Sequence, residues 1–157
     1  MPWDVLLLFG GGLSLSAMFT ATGLSLWIGE AAKGLAVLPV FLLIFAIAAL
    51  VLGLTELTSN TATAATFLPI MGGVAVGIGL TDASEMNVLI LAIPVALSAT
   101  CAFMLPVATP PNAIAYSSGY VTMGEMIKGG IWLNAIALVL IALATYFLAV
   151  PVFGLVL

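Results

Sequence analysis

GLTELTSNTATAATFLPI, residues 53–70, sets a polar cluster in strongly apolar sequence, with Ser59, Asn60 and Thr61 at its centre. A second interruption follows in SATCAFMLPVATPPNAIAYSSG, residues 98–119, where Pro106, Pro110 and Pro111 remove three backbone donors within six residues. Neither Ser59-Asn60-Thr61 nor Ala108-Thr109-Pro110-Pro111-Asn112 reads as ordinary transmembrane helix. Unwound backbone in hydrocarbon costs several kcal/mol per unsatisfied group, so it survives only against protein or a wet cavity.

The surrounding composition explains why hydrocarbon is the relevant solvent. Of 157 residues only eight are charged, at positions 4, 30, 33, 56, 82, 85, 125 and 128; two are lysines and none is arginine. Apolar residues make up 64% and mean hydropathy is +1.39. A soluble domain carries roughly 25% charged residues. At 5% charged the chain could not cover a surface in water, and it reads as an all-α, multi-pass integral membrane protein of the cell membrane. The lack of histidine and the single cysteine, Cys101, exclude His-based triads, zinc clusters, haem ligation and an intrachain disulfide. Two lysines exclude nucleic acid as a partner. No enzyme chemistry and no cofactor are expected. The opening MPWDVLLLFGGG lacks a basic region and is not expected to be a signal peptide.

The charges act as punctuation. Apolar helical segments are expected over 3–28, 34–57, 62–80, 86–107 continuing as 113–123, and 130–156. All belong to one domain, 1–157. Residues 30–34 and 125–130 read as turns, and Asp82 or Ser84 is a candidate N-cap. Pro94 is a possible kink and 106–112 the expected unwound stretch. Gly72, Gly73, Gly77 and Gly79 are expected to permit close helix approach.

Breaks of this kind leave helix ends whose N–H groups suit a carboxylate, and carbonyls and hydroxyls that suit sodium. That is the architecture of discontinuous helices in secondary transporters. Two plainer readings stand beside it: Ser59 or Asn60 caps the following helix, and ATPPN is an interhelical loop. Glu56 has two readings as well. It is either a functional intramembrane carboxylate or a water-facing helix-end residue that braces the hairpin. Cys101 reads as a small packing residue.

Residues 53–70 and 98–119 closely resemble the divalent anion:sodium symporter family, the INDY-type dicarboxylate transporters. WDVLLLFGGGLSLS, residues 3–16, resembles the opening of the last part of that family's second repeat. The resemblance implies a re-entrant hairpin with its tip near 59–61, a broken helix, and elevator-type transport of a succinate-like di- or tricarboxylate with sodium. It further implies sodium coordination by Thr55, Thr58, Asn60 and Ala108. Substrate contacts fall to Asn60, Thr61, Thr109 and Pro110, with Ser59, Glu56 and Asn112 as further candidates.

Each motif occurs once, whereas the family's site needs two of each. The chain is therefore expected to be the C-terminal repeat of a longer transporter, or a half-size protein requiring a partner chain. Its expected partners are the bilayer, sodium, a small anion and the missing N-terminal repeat, with a homodimer in the complete transporter. The alternatives are a non-transporting membrane fragment or subunit, or a sulfate carrier or anion exchanger on the same scaffold.

Overall fold

The computed structural model describes residues 37–82 and 84–156, together with positions 7, 10, 11, 14, 17, 18, 21–24, 27 and 34. The segment expected over 3–28 and the turn at 30–34 lie essentially outside the described residues. Those described from position 37 onward form helices and connecting turns, with no strand among them.

Helix α1, Val40–Thr55, is apolar on every side, as suits a helix that meets either protein or lipid all round. Ile44, Ile47, Val51 and Thr55 recur at helical spacing and are buried. A tight turn then leads into α2, Asn60–Gly77, which ends in a turn containing Gly79 at φ +78°, a left-handed conformation suited to glycine. Short 3₁₀ turns at Leu80–Asp82 and Glu85–Val88 precede α3, Leu89–Ser98. Ser84 is the residue that caps here, accepting the Met86 N–H at 3.2 Å. Asn87 is buried, donating to the Leu80 and Val156 carbonyls and accepting from the Val156 N–H, so the end of the described chain is tied to this turn.

Helix α3 packs against both α1 and α2, while α1 also lies along the long helix α5, Met123–Leu143. The shared core joins Leu43, Ile44 and Val51 of α1 to Val74 of α2 and to Ile90 and Val95 of α3. Between α3 and α5 the short helix α4, Pro110–Ser117, ends ahead of Gly119 at φ +75°.

Three boundaries differ from the sequence expectation. The helix expected to reach 107 stops at Ser98, so the irregular stretch is 99–109 rather than 106–112. The second half begins at Pro110 instead of 113, because proline at the first helical positions loses no needed donor and already has helical φ. Residues 125–130 form no turn. Thr122 and Glu125 make a reciprocal capping box that starts α5 at Met123. Thr122→Ala removes that cap and is expected to lower stability by about 1 kcal/mol, read as a small fall in melting temperature in detergent.

Helix α5 continues through a π-helical segment, Ala144–Ala149, into α6, Val150–Phe153. Pro151 cannot donate to a carbonyl in the preceding turn, and the backbone widens just before it. The continuous run Met123–Phe153 is 31 residues, about 46 Å at 1.5 Å per residue and longer than a ~30 Å hydrocarbon core. Trp132, Ile136, Leu140 and Phe147 are exposed along it, a surface suited to lipid or further membrane protein.

Candidate functional site

The tip between α1 and α2 and the irregular stretch before α4 form one open cavity of about 630 Å³. Thr58, Ser59, Asn60 and Thr61 line one wall, and Ala108, Thr109 and Pro110 the other. Seven of the candidate residues named from sequence thus meet at one place. Thr55, Glu56 and Asn112 do not line the cavity, and each supports it from behind.

The two helix ends at the cavity differ in chemistry. Ser59 occupies the N-cap position of α2 in extended conformation, but its hydroxyl makes no capping bond. Asn60 does not cap either: its Oδ1 lies 2.8 Å from the Thr55 hydroxyl. The first-turn N–H groups of an 18-residue helix are therefore left for whatever occupies the cavity. At α4, Pro110 and Pro111 have no N–H, and Thr109 Oγ1 accepts from the Asn112 N–H at 3.4 Å. One wall is rich in donors and the other is nearly free of them.

Oxygens gather beneath the tip. Thr55 Oγ1 is 2.8 Å from Asn60 Oδ1 and 3.0 Å from the Ala99 carbonyl at the end of α3. A hydroxyl has one proton, so it serves only one of these acceptors at a time. Thr58 donates to the Leu54 carbonyl at 3.0 Å, and its oxygen is paired with the buried Thr63 hydroxyl. Neutral oxygens of this kind suit a hard monovalent cation. Among the described residues no three His, Cys, Asp or Glu side chains cluster, and the oxygens gathered here belong to carbonyls, amides and hydroxyls.

How the irregular backbone survives is answered by Glu56. The residue is 2% exposed, so it does not face water as one reading held, though it does brace. Its carboxylate accepts the N–H groups of Phe103 at 2.8 Å, Met104 at 3.1 Å and Leu105 at 3.1 Å. It also accepts from Asn134 Nδ2 at 2.6 Å. Asn112 completes the accounting from the other side, where Nδ2 donates to the Ala102 and Leu105 carbonyls at 3.0 Å each. Three consecutive donors and two carbonyls that a helix would have paired internally are thus paired by two side chains. Thr55 holds one end of the stretch and Glu56 its middle, so the two walls of the cavity are tied to the same turn of α1.

Two residues of this arrangement escaped the sequence reading. Asn134 is the lone amide in the final apolar stretch, and a polar side chain in such a stretch was itself a signal. Gly130, one turn earlier on α5, carried no signal of its own. A Cβ there would stand 2.6 Å from Met104 Cα and 2.6 Å from the Phe103 oxygen. The close approach expected at Gly72 is not found, since a Cβ there meets only Val88 Cγ2 at 3.9 Å.

An apolar helical protein with a cavity walled by two polar interruptions has the form of a membrane carrier. The family model described as sodium:sulfate symporter transmembrane region matches residues 1–155, and the chain belongs to that family. It is an integral membrane protein. A sodium-dependent dicarboxylate transporter, SdcS, of Staphylococcus saprophyticus is 42% identical over 154 residues, covering 98% of this chain and 28% of that protein. The transporters of the same name from Staphylococcus aureus strains MRSA252 and USA300 are each 43% identical over the same spans. The chain thus spans 28% of the length of these relatives. They are transporters rather than enzymes.

Proposed function

We propose that this chain supplies one half of the translocation site of a sodium-coupled carrier for succinate-like di- or tricarboxylates, as the C-terminal repeat of the complete protein. The observation that carries the reading is that both interruptions wall a single cavity. In it α1, the tip and α2 act as a re-entrant hairpin, and α3, residues 99–109 and α4 act as a broken helix.

Sodium would be held by Thr55, Thr58, Asn60 and the Ala108 carbonyl. One substrate carboxylate would meet Asn60, Thr61 and the open N-terminus of α2, with Ser59 beside them. Thr109 and Pro110 would line the opposite, donor-poor wall. Among the described residues no charged side chain lines the cavity, so on this side the anion depends on helix-end N–H groups and on the cation that accompanies it. The acidic Glu56 behind the tip favours that cation. The second carboxylate would be met by the missing N-terminal repeat, and the hairpin and broken helix would travel together in an elevator-type movement, in a homodimer.

Asn60→Ala removes a side-chain oxygen expected on sodium and an amide donor expected on the substrate carboxylate. In proteoliposomes of the complete protein, sodium-dependent uptake of labelled succinate is expected to fall at least tenfold, the loss of about 1.4 kcal/mol of binding. Unchanged uptake would sink the assignment.

The family description names sulfate, which favours a sulfate carrier on the same scaffold as a second reading. Competition of unlabelled sulfate against succinate separates the two. Replacing sodium with choline separates symport from exchange.

A further inference from the structure

Asn134 does not line the cavity, yet it is bonded to the group that holds the cavity's wall. Its side chain is 6% exposed. Nδ2 donates to Glu56 Oε1 at 2.6 Å, the shortest bond that carboxylate accepts, while Oδ1 is buried with no partner among the described residues. The two ends of the amide therefore have opposite standing. Leucine has as many side-chain heavy atoms and would fill the position without an unpaired acceptor. Packing alone does not account for asparagine here, and the charge-assisted bond to Glu56 does.

That bond bears directly on the irregular stretch. Glu56 Oε1, which Asn134 engages, also accepts the Phe103 and Met104 N–H groups. Gly130, on the same face of α5 one turn away, lets the helix reach this backbone. The stretch then runs through Pro106 to Ala108 and Thr109 in the cavity wall. A shift of the carboxylate relative to α5 would carry these residues with it.

We propose that Asn134 is a positioning residue for the cavity: through Glu56 it sets where the backbone of 103–109 stands, and so the affinity for the cation, without touching a ligand. The proposal rests on the reading of the cavity as a cation and carboxylate site. Its effect on the backbone is measurable apart from that reading.

Cys101, half-buried within the irregular stretch, is a built-in reporter. The experiment follows peptide-resolved alkylation of Cys101 by N-ethylmaleimide in membranes carrying the complete protein, in choline and over a sodium titration. Asn134→Leu is expected to speed alkylation in choline about tenfold and to raise the sodium concentration for half-maximal protection about tenfold, as one lost charge-assisted bond requires. Asn134→Asp sets a second carboxylate against Glu56 and is expected to do at least as much.

A residue that merely packs would leave the leucine variant at the original alkylation rate and the original sodium midpoint. That result overturns the proposal. Should sodium fail to protect Cys101 in the unsubstituted protein, the cation reading and the affinity part of the proposal fall together. The rates in choline still decide whether Asn134 positions the backbone.

Discussion

Truncating Glu56 to alanine is expected to destabilise the folded chain by about 3–5 kcal/mol. The three consecutive N–H groups of Phe103, Met104 and Leu105 lose their acceptor, and so does the Asn134 amide. Each buried donor left unpaired costs about 1–3 kcal/mol, but the losses do not add in full, because the stretch can relax and admit water. For a chain of this size the figure corresponds to a fall in melting temperature of roughly 6–20 °C. Glu56→Gln keeps one oxygen able to accept and is expected to cost about half as much. Thermal unfolding in detergent, followed by circular dichroism, tests the series. A Glu56→Ala protein melting within about 2 °C of the original would show that the stretch is held by something else.

Gly130→Ala is the second large effect, and its sign is the informative part. In an open helix interior, alanine for glycine stabilises by about 1 kcal/mol through the smaller backbone entropy lost on folding. At Gly130 the new methyl group would stand 2.6 Å from Met104 Cα and 2.6 Å from the Phe103 oxygen. Both are backbone atoms, and that backbone is pinned by Glu56, so neither can give way cheaply. The overpacking cost of about 1–3 kcal/mol or more outweighs the propensity gain, and a net loss is expected. Gly129 is the matched control, because none of the described residues stands within 4 Å of a Cβ built there. Gly129→Ala is expected to raise the melting temperature and Gly130→Ala to lower it in the same assay. Equal shifts for the two adjacent glycines would refute the close approach of α5 to the stretch.

These two substitutions also show where reading a sequence stops. Ser59-Asn60-Thr61 and Ala108-Thr109-Pro110 were legible as interruptions because a polar cluster or a proline run in apolar sequence is a local fact. Thr122 with Glu125 was equally local, a capping pattern three residues apart, yet the nearby charges and glycines suggested a turn instead. The extent of the second interruption was not local. Ala99 to Leu105 carry ordinary helix-compatible side chains. They leave the helix in a fold where Thr55 and Glu56, more than forty positions earlier, offer their backbone groups better-placed partners.

The sequence by itself determined the solvent of this protein, its all-helical class, its family resemblance and the seven candidate positions that come to line one cavity. Those follow from composition and from short patterns, which act over a few residues. Only the tertiary structure decided how the cavity is held. Glu56 turns inward to accept the 103–105 backbone, Asn112 closes the loop on itself, and Asn134 and Gly130 bring α5 against its back. The physical reason is that unwound backbone in an apolar protein must find every partner within the protein, and partners drawn from separate helices have no shared signature along the chain.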